Sequence, residues 1–148
     1  YNYKMENKSI TPTVSNLFLK TSHGSPMEPV QSVSAITGEG LLNDVSRGRK
    51  LRQVLIIDND TLTDFGLSPG ILRENITIDG MSISTVEPGT ILHLGKLQLE
   101  VALNCAPCDL LDEIRPGLQD EMTGKRGMLC RVREGGTIKI GDQIELEK

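Results

Sequence analysis

The sequence predicts a mainly β protein, a closed or nearly closed β-barrel with two or three short helical insertions. Apolar residues mostly alternate with polar ones, the apolar runs are short, and Gly, Pro, Asn and Asp separate them. The predicted strands do not alternate regularly with helices, as they would in a series of βαβ units. A barrel is therefore favoured over a parallel sheet.

About nine strands follow from the alternating pattern. They are residues 14–20, 30–36, 52–57, 74–78, 90–94, 96–103, 128–133, 137–140 and 143–147. Two glycine-containing dipeptides fall between neighbouring strands, Gly95-Lys96 and Gly135-Gly136. Because such dipeptides suit the tight turns of antiparallel pairs, each predicts a hairpin.

Three short helices are predicted from their end signals. Asp58 or Asp60 can cap the first, and Gly66 ends it. The second, residues 109–114, ends before Pro116, and the third lies within residues 117–124, between two glycines.

Composition limits the functional classes. The chain of 148 residues suits one domain, and we expect residues 1–12 to be disordered and residues 13–148 to form the barrel. Three cysteines do not make a disulfide framework, and no apolar stretch approaches the roughly 20 residues of a membrane span, so we expect a cytoplasmic protein without a membrane partner. A net charge of -4, with no tryptophan, argues against nucleic acid.

Cys105 and Cys108 form a CxxC pair at the end of a predicted strand. The pair could be a redox dithiol, half of a metal site, a sulfur-carrying thiolate, or two buried hydrophobic residues. A thioredoxin-like dithiol needs a longer helix behind it than Pro116 and Gly117 allow. A zinc site would need two further ligands, and its remaining candidates lack paired spacing: His23, His93 and Cys130.

Local chemistry distinguishes the two cysteines. Cys108 follows Pro107 and falls near the start of the helix, where free N–H groups favour a thiolate, although Asp109 opposes this effect. Cys105 would be the redox partner if the pair performs redox chemistry.

Five stretches together carry a family resemblance. They are SHGSPMEPVQSVSAITGEGLLND, RQVLIID, GLSPGILRENITIDGM, LNCAPCDLL and RGMLCRVREGGTIKIGDQIE. In order and spacing, from about Leu17 to Glu147, the chain resembles the MOSC family, the domain named from the C-terminus of molybdenum cofactor sulfurase, and it looks closest to small stand-alone bacterial members. The resemblance implies a β-barrel whose pocket cysteine carries sulfur or contacts the molybdenum cofactor (molybdopterin). That cysteine corresponds to Cys108, as a persulfide carrier or a metal-ligand thiolate.

The resemblance also implies cofactor-binding residues. Arg73 and Asn75 match an Arg-x-Asn motif, and they suit an oxyanion or a pterin edge because Arg binds oxyanions with two donors and Asn offers both a donor and an acceptor. Asp44 matches a family aspartate, and His23 matches a family loop. Many members have Gly-Asp-Arg followed by His or Tyr where this chain has Asn43 to Ser46.

The missing positive charge could come from the following loop. Arg52 is the candidate, because it lies at a predicted strand, whereas Arg47, Arg49 and Lys50 are expected to be solvated.

These observations predict a domain that binds the molybdenum cofactor or carries sulfur. The chain contains no cysteine desulfurase domain, so the expected partner is a sulfur donor such as a cysteine desulfurase, or a molybdoenzyme. Two alternatives remain open: a molybdenum-dependent reductase of N-hydroxylated compounds, and a non-catalytic binding module.

Overall fold

The computed structural model describes residues 11–147 of the chain, so most of the predicted N-terminal disordered segment lies outside the described residues. The strands are β1 Thr13–Leu19, β2 Glu28–Val30, β3 Ser32–Ile36, β4 Gly40–Leu41, β5 Val54–Asp58, β6 Ile76–Asp79, β7 Ile91–Leu94, β8 Leu97–Asn104, β9 Met128–Glu134, β10 Gly136–Lys139 and β11 Glu145–Glu147. The helices are α1 Asn59–Asp64, α2 Asp109–Ile114 and α3 Leu118–Glu121, with a 3₁₀ turn at Ile83–Thr85.

Two sheets make up the fold. The larger has the strand order β11-β7-β8-β9-β5-β6-β1-β2, and the smaller has the order β10-β3-β4. The larger sheet is strongly curled into a half-barrel, which confirms the predicted, nearly closed β-barrel with short helices. Within the two sheets, β5 and β6 form the parallel pair, joined through α1.

Of the two hairpins that glycine-containing dipeptides predict, one is confirmed and one is wrong. The Gly95-Lys96 hairpin is confirmed, because Leu94 pairs with Leu97 across it. The Gly135-Gly136 hairpin is wrong, because β10 leaves β9 and pairs with β3 in the smaller sheet. A Cβ at Gly135 would lie 2.6 Å from the Ala35 carbonyl oxygen, so the glycine allows the chain to cross closely onto the other sheet.

The predicted strand 30–36 is likewise divided. Its first residue belongs to β2, which pairs with β1 in the larger sheet, whereas β3 begins at Ser32 and pairs with β4 and β10. Val30 and Val33 are three residues apart, so the alternation changes phase at this break, and the prediction of one continuous strand overlooked that signal.

Two apolar clusters hold the fold together. The main one fills the space between the sheets, and the second, formed by Ile57, Leu62, Leu72, Leu111, Leu118 and Met122, packs the helices against β5. Asp58 caps α1, as one of the two predicted candidates, by accepting a hydrogen bond from the Thr61 N–H through Oδ2 at 2.9 Å. Its other carboxylate oxygen accepts from the Ile83 N–H at 3.0 Å and so ties the 3₁₀ turn to the same residue. None of the helices within residues 11–147 is long and apolar enough to cross a membrane.

Candidate functional site

Cys108 lies at the N-cap of α2 with an extended backbone, as the sequence predicts. Its side chain makes no capping hydrogen bond and is exposed to solvent. The helix ends at Ile114, before Pro116, so only about two turns follow the thiol. The Cys108 sulfur is therefore accessible and free of a structural hydrogen bond.

Cys105 is half-buried at the end of β8. Its backbone N–H donates to the Gly127 carbonyl at 2.8 Å, which fixes it beside the segment that leads into β9. Burial has the largest effect on the pKa of the Cys105 thiol and raises it. The Arg126 guanidinium, and to a smaller extent Arg52, lowers this pKa, while Cys108 raises it. The net direction is upward. The structure thus brings Cys108, Arg52 and Arg126 around Cys105.

Arg126 is a buried cation at this point. Its side chain is only 5% exposed, and its Nε and Nη1 donate to no hydrogen-bond acceptor in the structure. None of the four ion pairs found among residues 11–147 involves it. Sequence reasoning missed Arg126, because a charged residue next to a glycine in a loop is ordinarily exposed.

Cys130 behaves differently from the other two cysteines. It is fully buried within β9 among the apolar residues of the main cluster, and this burial raises the pKa of its thiol strongly.

Within residues 11–147, no group of three or more His, Cys, Asp or Glu side chains is placed to hold a metal ion.

A second region is a cavity of about 240 Å³ between the loop after β1, the loop after β4 and the residues that precede β6. Four predicted site residues line it, His23, Asp44, Arg73 and Asn75, together with Lys20 and Arg49. Cys105, Cys108 and Arg52 are not part of this lining. The structure thus gathers four of the five predicted cofactor-binding residues at one cavity, and it places the fifth, Arg52, near the Cys105 thiol instead.

Asp44 and Asn75 form the floor of the cavity, and their polar atoms have protein partners. Asn75 Nδ2 donates to Asp44 Oδ1 at 3.1 Å and to the Phe18 carbonyl at 3.2 Å, while its Oδ1 accepts from the Leu55 N–H at 3.0 Å. Asp44 also accepts from the backbone N–H of Lys20 at 2.9 Å. This clasp joins β1, β5 and the loop after β4, so it shapes the cavity.

The cations at the cavity are the exposed Arg73 and Arg49 and the half-buried Lys20, and they lack carboxylate partners among the described residues. Arg73, Lys20 and Arg49 take part in none of the ion pairs among the described residues. Arg73 has a positive φ of 62°, a left-handed conformation that costs roughly 1–2 kcal/mol for a residue with a Cβ. Arg49, expected to be solvated, is exposed and also lines the cavity, whereas Arg47 pairs with Glu39 at 2.8 Å.

Comparison with known proteins identifies the family. A model of the MOSC domain matches residues 23–145. The chain belongs to the MOSC domain family. This family is associated with the molybdenum cofactor, and the domain is accordingly of a molybdenum-cofactor-related binding type. A search of the curated proteins finds no match.

Solved structures share the fold. YuaD from Bacillus subtilis superposes with a TM-score of 0.78 at 19% identity, covering 94% of this chain and 97% of its own. YiiM from Escherichia coli gives 0.72 at 21% identity, with 94% and 70% covered, and YiiM from Geobacillus stearothermophilus gives 0.66 at 19%, with 95% and 75% covered.

The side chains present are compatible with such a cofactor. Three unpaired cations surround the cavity, as an oxyanion or phosphate requires, and the buried Arg126 nitrogen atoms lack acceptors beside the thiols. The metal itself would have to arrive with the cofactor, because the described residues offer no cluster of ligands for it.

Proposed function

We propose that this protein binds the molybdenum cofactor, or a related sulfurated species, and that Cys108 carries sulfur as a persulfide. The observation that carries the proposal is the exposed Cys108 thiol, which has no capping hydrogen bond and lies at the start of α2, three residues after a second, half-buried thiol. The family membership supports the nature of the ligand.

The sulfur transfer can be written with the residues of this chain. The Cys108 thiolate attacks the terminal sulfur of a donor persulfide, a bond forms between the two sulfurs, and the sulfur–sulfur bond of the donor breaks. The donor leaves as a thiolate and takes the electron pair of the broken bond. Delivery of the sulfur to an acceptor is a second transfer of the same kind. A nucleophilic acceptor attacks the terminal sulfur of the Cys108 persulfide, the sulfur–sulfur bond breaks, and Cys108 leaves as the thiolate.

The cavity supplies the binding half of the proposal. Arg73, Lys20 and Arg49 would hold an oxyanion of the ligand, while Asp44 and Asn75 fix the backbone around it. A volume of about 240 Å³ falls below the roughly 300 Å³ at which pockets for drug-sized ligands begin, so the cavity suits one end of a ligand. His23 and Arg52 remain candidates for additional contacts. When bound, the cofactor would supply the metal and its redox chemistry.

The proposed partner is a sulfur donor such as a cysteine desulfurase, and a molybdoenzyme is the proposed acceptor. The test incubates the purified protein with a cysteine desulfurase and cysteine, and then measures intact mass before and after reduction. We expect a reducible gain of one sulfur atom in the wild type and in Cys105→Ser, and none in Cys108→Ser. Equal gain in Cys108→Ser would overturn the assignment.

Molybdenum analysis of natively purified protein, from a host that makes the cofactor, tests the binding half. Molybdenum that is retained by the wild type and lost in Cys108→Ser, without any sulfur loading, would instead favour Cys108 as a metal-ligand thiolate, the arrangement expected of a molybdenum-dependent reductase.

A further inference from the structure

Two buried polar side chains in the described structure have atoms without hydrogen-bond partners, and they are Arg126 and Glu74. Glu74 still accepts two hydrogen bonds through Oε2, from the Gly70 N–H at 2.7 Å and the Thr77 hydroxyl at 3.0 Å. Arg126, by contrast, has two unpartnered nitrogen atoms and no carboxylate in an ion pair. A buried charge without a counter-ion costs several kcal/mol, so the position favours an anion.

The backbone places this cation beside the thiols. The Cys105 N–H bonds to the Gly127 carbonyl, and the Asn104 side-chain amide donates to the Gly124 carbonyl at 3.2 Å. The segment 124–127, which contains Arg126, is therefore fastened to Asn104 and Cys105 at the end of β8, and Cys108 follows three residues after Cys105, at the start of α2. No acidic side chain is part of these contacts.

We propose that Arg126 is an anion-binding residue for the Cys105/Cys108 pair, and that it holds the ionised terminal sulfur of the persulfide. The second half rests on the proposed function. An enclosed guanidinium excludes a bulky ligand, but it can accept a single sulfur atom attached to a neighbouring cysteine. Its two N–H donors stabilise the sulfur anion and keep it in place until an acceptor arrives.

The proposal is tested on unloaded, full-length protein with two alkylating agents of similar size. Iodoacetate is an anion and iodoacetamide is neutral, so the ratio of their rates on one thiol reports a nearby cation, and the ionised fraction of that thiol cancels in the ratio. The ratio is measured for Cys105 in a Cys108→Ser background and for Cys108 in a Cys105→Ser background.

We expect Arg126→Gln to lower the iodoacetate to iodoacetamide ratio by roughly three- to tenfold, the scale of a partly shielded charge a few ångströms away. Arg126→Lys should keep part of the preference because it retains the charge. Lys125→Gln is the matched control. Lys125 is adjacent in sequence, but its ammonium lies over the Phe65 ring at 6.0 Å, and its loss should leave the ratio unchanged.

A ratio unchanged in Arg126→Gln would overturn the proposal. If that variant also melts at a lower temperature, Arg126 serves the fold instead, for example by bridging to the free Glu74 oxygen. The proposal expects no loss of stability, since Arg126→Gln removes a buried charge that has no counter-ion and whose burial is itself costly.

A separate measurement tests whether Arg126 holds the terminal sulfur of the persulfide. After loading by a desulfurase, Arg126→Gln should lose its persulfide sulfur to an uncharged phosphine, which takes the terminal sulfur as a phosphine sulfide, faster than the wild type and Lys125→Gln do, and equal rates would overturn it. A protein that never loads sulfur, yet shows the Arg126-dependent ratio, would refute the proposed sulfur carrier and leave the anion site standing.

Discussion

The cavity and the thiol region, which contains Cys105, Cys108 and Arg126, differ in whether their buried polar groups have hydrogen-bond partners. At the cavity, the buried groups Asp44 and Asn75 are bonded to each other and to the backbone, and the two arginines that could meet a ligand, Arg49 and Arg73, are exposed. At the thiols, the buried group is Arg126, which has no partner, and the reactive sulfur of Cys108 is exposed.

This difference separates the support of the fold from the binding of a ligand. A buried polar group that has all its hydrogen bonds lowers the free energy of the folded state, and its removal leaves its partners unpaired at about 1–3 kcal/mol each. A buried group without partners gives no such support, so its presence points to a bound group. Substitutions in the two regions should therefore affect different measurements.

The largest expected effect concerns cysteine reactivity. Cys108 is exposed, whereas Cys130 lies within β9 and reacts only when that strand opens. With a stability of about 5 kcal/mol or more, opening should slow Cys130 by at least roughly a thousandfold. Mass mapping after limiting alkylation of folded protein should find label on Cys108 before Cys130. Labelling of Cys130 first would contradict the fold itself.

The sequence predicted the features that depend on local chemistry. The alternation of apolar and polar residues predicted most strands. Pro107, followed by a hexapeptide of apolar and acidic residues at 109–114, predicted that Cys108 lies at the start of a helix. The sequence did not predict the roles that depend on distant partners. Asn75 bonds to residues 20, 31 and 57 positions away, and nothing near Arg126 in the sequence shows that this residue would be buried.

The Gly135-Gly136 pair shows a similar limit to what local sequence can predict. A Gly-Gly pair permits both a tight hairpin and a close crossing between sheets, and the choice at Gly135 depends on the approach of Ala35 from a strand about a hundred residues earlier in the chain. Local sequence therefore could not distinguish the two outcomes.

The next effect tests the clasp of the cavity. Asn75→Ala leaves the Leu55 N–H, the Phe18 carbonyl and one Asp44 oxygen short of a partner, and we expect a loss of about 2–4 kcal/mol in the free energy of unfolding. Urea denaturation measures it, with Arg49→Ala as an exposed control. Full stability combined with lost cofactor binding would mean that Asn75 binds the ligand directly.

Arg73 should show the reverse behaviour. Arg73→Lys keeps the charge and loses the planar pair of donors, so affinity for the molybdenum cofactor should fall by about 1.5–3 kcal/mol, or roughly 10- to 150-fold, in a binding titration.

Arg73→Gly sharpens the same test. Glycine adopts the left-handed backbone freely, so this variant should unfold at a slightly higher temperature while it binds the cofactor poorly. Lower stability with unchanged binding would place Arg73 with the clasp.

The smallest effect distinguishes two neighbouring arginines of one loop. Arg49 lines the cavity and is exposed, whereas Arg47 is paired with Glu39 and lies outside the cavity lining. Because an exposed charge is screened by ions, Arg49→Ala should weaken cofactor binding by about 1 kcal/mol or less at low salt, and by less at higher ionic strength. Arg47→Ala changes the net charge equally and should leave affinity unchanged. Titrations at two salt concentrations measure both variants. Equal, salt-dependent losses in the two would show that the loop acts through its total charge, and Arg49 would then have no specific place in the cavity.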